Sequence, residues 1–192
     1  MARPKEFDPD VAVGAALDLF WRQGYGATTP AQLLAALKLG KGSLYNTFES
    51  KQGLFARALR RYGDERVAGL STVLGRPGRV RGRLEAALER LAATENAHLF
   101  RRGCMAVNTV AERGQVDDAT LAIVRTIFDR MEHTLQTTVE EGQRTAELEN
   151  TTRAEDLASL FVAVIIGMTV LARMGGGVAR AKRVVRALMS LL

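Results

Sequence analysis

Residues 39–55 read LGKGSLYNTFESKQGLF, with two glycines flanking a lysine and a serine and a tyrosine close behind. Small residues beside a cation and two hydroxyls suit contact with phosphate. That phosphate belongs either to a nucleotide in a loop or to the backbone of DNA lying against a helix. The nucleotide reading fails on spacing. A phosphate-cradling loop needs Gly, four residues, then Gly-Lys-Ser/Thr, sited between a strand and a helix. Here Ala35 stands five before Gly40, Gly42 follows Lys41, and the preceding AQLLAALKL reads as helix.

Other chemistry finds little support. Catalysis needs a nucleophile with a base, or paired carboxylates in a pocket. Glu140-Glu141 and Asp117-Asp118 are adjacent, so on a helix their side chains point apart; they read as solvated surface, with Asp117 a candidate helix cap. No catalytic residue is assigned and no enzyme is expected. His98 and His133 are the only histidines and Cys104 the only cysteine, with no ligand spacing for a metal; no metal or cofactor is expected. Cys104 follows Arg101-Arg102-Gly103 at the start of a helical stretch. Adjacent cations and a helix N-terminus lower a thiol pKa and make it reactive; the competing reading is a small buried hydrophobe.

The elements that position these residues are helices. Asp8-Pro9 is a cap followed by proline at the first helical position, and Ala12, Ala15, Ala16, Leu19 and Phe20 make one apolar face ending near Gly24. Thr29-Pro30 repeats the start signal for a short helix ending near Leu37. Leu39 and Gly40 make a tight corner into a second short helix, about 41–48. Ser50 caps a longer helix with Leu54, Phe55, Ala58, Leu59 and Tyr62 on one face. Two short helices joined by a tight corner are helix-turn-helix geometry. GRPGRVRGR (75–83) breaks the composition, and helices follow at about 81–95, 104–113, 118–142, 153–174 and 178–191. Leu121, Val124, Phe128, Met131, Leu135 and Val139 form a stripe along the third of these.

In a helix-turn-helix the second helix enters the major groove, about 12 Å wide, so its leading face must be slim. Gly42 and Ser43 meet that need. Lys41 reaches a phosphate or a guanine edge, Tyr45 offers a hydroxyl and an apolar body, and Asn46 suits adenine or phosphate. Leu44 and Phe48 face inward. Thr28 and Thr29 open the first helix of the motif, and Ser50-Lys51 opens the long one; helix N-termini favour phosphate.

The chain has 192 residues, net charge +6 and a pI near 10.0, which favours an anionic partner. A single cysteine forms no intrachain disulfide and fits a reducing cytoplasm. The first ten residues, MARPKEFDPD, hold no apolar signal core. LFVAVIIGMTVLA (160–172) falls short of the about 20 residues that span a bilayer, so it reads as a buried helix and no membrane association is expected.

GYGATTPAQLLAALKLGKGSLYNTFESKQGLF, with AALDLFWRQGY before it, closely resembles the N-terminal domain of TetR/AcrR transcriptional regulators, over about residues 10–60. RGCMAVNT and LASLFVAVIIGMTVLAR resemble one of the family's subgroups more weakly. The resemblance implies an all-α protein. A three-helix helix-turn-helix domain over 1–50 would be followed by a larger helical ligand-binding and dimerisation domain over 51–192. It implies a homodimer on a palindromic operator in double-stranded DNA, usually a repressor released by a small-molecule effector. It places DNA contacts at Thr28, Thr29, Lys41, Gly42, Ser43, Tyr45, Asn46 and Lys51. It also implies an effector pocket among the middle helices, where Phe100, Cys104, Met105, Asn108, Phe128, Met131, Ile165 and Met168 are the candidates. Oxidation or alkylation of Cys104 is the alternative trigger. Two departures stand out. Gly40 occupies a position that more often carries a Ser, Asp or Asn cap. And over 1–50, Arg3, Lys5, Arg22, Lys38 and Lys41 are balanced by Glu6, Asp8, Asp10, Asp18 and Glu49, so phosphate binding depends on placement.

The helix over 153–174 is apolar nearly all round. Leu157, Leu160, Phe161, Val164, Ile165 and Met168 fill one face, and Val162, Ile166 and Val170 much of the other. A helix apolar all round must be buried all round; either it is the central core helix of a monomer or, as a two-fold recognition protein requires, Ile166 and Val170 lie against a second subunit, which is the expectation.

Overall fold

The structure, a computed structural model, describes residues 7–92, 102–112, 116–149, 151–174 and 177–192. Among them the elements are α1 (Pro9–Gln23), α2 (Pro30–Leu37), α3 (Lys41–Phe48), α4 (Lys51–Leu74), α5 (Val80–Ala92), α6 (Met105–Ala111), α7 (Asp118–Arg144), α8 (Ala154–Arg173) and α9 (Gly177–Met189), and no strand is present. The helix starts follow local chemistry. Asp8 accepts the Asp10 N–H at 2.8 Å ahead of Pro9, Ser50 Oγ accepts the Gly53 N–H at 2.9 Å, and Asp117 Oδ1 accepts the Thr120 N–H at 2.8 Å. Hydrogen bonds from Thr120 hold the Asp117 carboxyl below its usual range. Gly24 closes α1 at φ +85°, in the left-handed region where glycine is unstrained.

Apolar packing forms two clusters that divide within α4. The first joins α1, α2 and α3 to the front of α4 through Phe20, Leu33, Leu44, Phe48, Phe55 and Tyr62, and it extends to Met105, Val124 and Ile127 of α6 and α7. The second takes Leu70, Val73 and Leu74 at the back of α4, and adds α5, the rear of α7, α8 and α9. Phe128 and Met131 touch both. α4 and α7 approach closely where Gly63 meets Ile127: a Cβ on that glycine would lie 2.4 Å from Ile127 Cγ1.

α8 differs from expectation in two ways. It runs 20 residues, close to the expected 153–174, yet by length and composition alone it is apolar enough to cross a membrane, although its continuous apolar run over 160–172 is shorter. Its inward face holds Leu157, Phe161, Val162, Ile165, Met168 and Ala172, packed on α7 and α9. Leu160, expected inside, is 38% exposed, and Val162, expected outside, is 7% exposed. Leu160 and Val170 therefore share the outward side, with Ile166 half-buried between them and Met174 exposed beyond the helix end.

Candidate nucleic-acid interface

α3 is anchored from beneath and open above. Leu44 and Phe48 are buried at 0% and 2% exposure, and Lys41, Gly42, Ser43 and Asn46 are exposed, with Tyr45 half-buried at the edge. Gly42 is informative because nothing inside the molecule requires it. A Cβ there would meet no atom within 4 Å, and its φ lies outside the left-handed region. Gly53 is the opposite case: a Cβ would fall 2.3 Å from the Phe48 carbonyl oxygen, so its absence lets α4 pass close under α3. No side chain caps α3 at Gly40.

The flanking helix starts are more heavily committed than the sequence implied. Thr28 is corrected: it is fully buried, and its hydroxyl donates to the Gly24 carbonyl at 2.6 Å. A short polar side chain one turn behind a glycine finds the carbonyl that the glycine leaves open. Thr29 is exposed but engaged in a capping box. Its N–H donates to Gln32 Oε1 at 2.8 Å, and its hydroxyl accepts the Gln32 N–H at 3.2 Å. Gln32 completes this box; its position three after Thr29 was the available signal.

Lys51 opens α4, half-buried, with Nζ 4.2 Å from the centroid of the Tyr25 ring. Burial holds its pKa below the ordinary lysine range, and the nearby Glu112 carboxylate acts against that. Glu112, on the turn after α6, also accepts the Gly26 N–H at 2.8 Å. The C-terminal part of the chain thus reaches the loop before α2 and the charge at the start of α4.

The residues expected around an effector are partly gathered. Met105 is buried in the first cluster with Cys104 packed on it, Ile165 and Met168 lie in the second, and Phe128 and Met131 bridge the seam. Asn108 is half-buried on α6, bonded to the Arg102 carbonyl and to Arg173. Phe100 lies outside the described residues, as do Arg101 and His98. Burial, reinforced by the neighbouring Cys104, holds the Tyr62 hydroxyl pKa above its ordinary range. Arg102 is paired with Asp18 at 2.7 Å.

Two family models match in tandem. "Bacterial regulatory proteins, tetR family" covers residues 13–58, and "Tetracyclin repressor-like, C-terminal domain" covers residues 75–188. The HTH-type transcriptional repressor ComR of Escherichia coli K12 is 30% identical over 177 residues, spanning 90% of this chain and 83% of ComR. A structure of CifR with cysteine substitutions, complexed with 26-bp double-strand operator DNA, superposes at TM-score 0.80 with 27% identity, over 96% of this chain and 99% of that one. E. coli NemR in its reduced form superposes at TM-score 0.87 with 17% identity, over 95% and 96% of the two chains, a likeness of fold. An exposed, glycine-led α3 anchored by Leu44 and Phe48, within a fold matched end to end, makes this chain a DNA-binding transcriptional regulator of the TetR family and not an enzyme.

Proposed function

We propose that the chain works in the cytoplasm as a homodimeric repressor that lays two copies of α3 into successive major grooves of a palindromic operator. A small molecule bound in the C-terminal part releases it. The observation that carries the reading is Gly42: a helix whose exposed second residue is left free by internal packing to be anything is slim for the sake of something outside. Lys41, Ser43, Tyr45 and Asn46 supply the contacts around it, and Lys51 and the exposed start of α2 at Thr29 supply phosphate contacts. Support for a two-fold dimer comes from α8, whose exposed Leu160 and Val170, beside half-buried Ile166, match a second copy better than water. The effector reading rests on the seam at Phe128 and Met131, where both apolar clusters meet. A ligand there releases DNA by favouring a dimer with mis-spaced recognition helices.

Footprinting on the protein's own promoter tests the reading. The protected site is expected to be an inverted repeat with half-sites about 34–36 Å apart or somewhat more. Lys51→Ala weakens binding to all sequences alike and lowers the salt slope by about one; a single asymmetric half-site, or an unchanged slope, contradicts the proposal.

A second trigger has one observation in its favour. The Cys104 side chain packs against the apolar cluster that holds the buried Tyr62 of α4, so oxidation or alkylation of sulfur disturbs packing between α4 and the start of α6. Cys104→Ser separates the two: it leaves ligand-driven release intact and abolishes release by peroxide.

A further inference from the structure

A cleft of about 550 Å³ opens where the end of α1 meets α6 and the end of α8. Trp21 and Ala111 contribute apolar wall, and Arg22, Arg102, Asn108 and Arg173 contribute the polar lining. The three arginines come from three separate parts of the chain.

Their charges are incompletely answered. Asp18 serves two of them, with Oδ1 at 2.7 Å from Arg102 Nη1 and Oδ2 at 2.8 Å from Arg22 Nη2. Arg173 has no carboxylate partner among the described residues; its Nη1 donates to Asn108 Oδ1 at 2.5 Å. Asn108 is itself fixed, its Nδ2 donating to the Arg102 carbonyl at 3.1 Å. Glu112, which lines the cleft, uses its carboxylate on the Gly26 N–H at 2.8 Å, whereas Asp18 lies outside the lining. Three guanidiniums therefore face two carboxylates, one shared and the other bonded to main chain.

The scaffold beneath is tied together across the chain. Trp21 Nε1 donates to the Gly103 carbonyl at 2.9 Å. Gly103, at φ +69°, lets the Arg173 stem lie across it, since a Cβ there would stand 2.7 Å from Arg173 Cδ. Guanidiniums held in place bind planar oxyanions bidentately with little further loss of freedom. The volume falls within the range of small-molecule sites, and the Trp21 indole, with Arg102 5.7 Å from its centroid, backs the cationic lining.

We propose that this cleft binds a small molecule through a carboxylate or phosphate group held by Arg173 and Arg22, with Asn108 and Arg102 completing the cradle. The site is distinct from the apolar seam at Phe128 and Met131 and does not depend on that seam holding an effector. The bound anion joins the DNA-reading helices through α1 to α6 and to the end of α8, so occupancy stiffens one arrangement of the three.

Calorimetric titration of the full chain at constant ionic strength, with inorganic phosphate, benzoate and benzamide as probes, tests the site. Saturable binding of phosphate, benzoate or both is expected, with none of the neutral amide; which anion binds identifies the head group. Arg173→Gln and Arg22→Gln each weaken that binding about tenfold or more, whereas Arg180→Gln on α9 leaves it unchanged. Circular dichroism checks the variants, and should Arg173→Gln fail to fold, Arg22→Gln on the exposed side of α1 decides. The proposal is overturned if neither anion saturates below about 10 mM, if benzamide binds as well as benzoate, or if folded Gln variants bind as the parent does.

Discussion

The two apolar clusters are built from different materials. The one beneath α3 is aromatic: Phe20 and Phe55 meet edge to face at 4.9 Å between centroids, Trp21 and Tyr62 at 5.2 Å, and Tyr25 leans on Phe55 at 4.8 Å. The second is aliphatic, with Leu, Val, Ala, Ile and Met around Phe161 as its one buried ring. Ring pairs have preferred orientations worth about 0.5–1.5 kcal/mol each beyond area, whereas aliphatic and methionine side chains repack at modest cost. The first cluster fixes the attitude of α3, and the second is built of side chains that repack at lower cost.

The largest effect belongs to the anchor of α3. Phe48→Ala should cost about 3–5 kcal/mol in denaturant unfolding and abolish operator binding; a loss below 1 kcal/mol would mean that rings do not hold α3. Next comes the outward side of α8. Val170→Glu puts a charge where a second copy is proposed, so ultracentrifugation should find monomers that keep the parent's helicity. A variant that stays dimeric removes Val170 from the interface.

Within the aliphatic cluster, Met168→Leu conserves volume and should cost less than about 1.5 kcal/mol, measured in the same unfolding assay. A larger loss would show this cluster to be as shape-specific as the aromatic one. The smallest effect on stability separates folding from reading. Gly42→Ala should leave stability unchanged or raise it by about 0.5–1 kcal/mol, because alanine favours a helix, while weakening the operator complex in a gel shift. Unchanged affinity would remove Gly42 from the DNA surface.

Much of this was legible from local signals. Asp8-Pro9, Thr29-Pro30 and Ser50 marked helix starts that the structure keeps, and Leu44 and Phe48 were recognisable as the inner face of α3. What escaped depends on distant partners. Thr28 looked like an open helix start, and its burial needs the fold of the loop from Gly24. On α8 periodicity carried no direction, since apolar residues lie all round; only packing on α7 and α9 separates Val162 from Leu160. Gly53 and Gly63 are dictated by helices crossing close beside them. The cationic cleft combines Trp21, Arg102 and Arg173 from parts of the chain that no motif connects.

The bare start of α3 has a consequence for how an operator would be read. With Gly40 supplying no side-chain acceptor, the N–H groups of the first turn are left to water in the free protein. An arriving phosphate would take the place that serine or aspartate fills in other helices, and the formed, anchored helix would gain a cap from the molecule it reads. That contact would favour every sequence alike, leaving the contrast between right and wrong sites to the base-facing side chains.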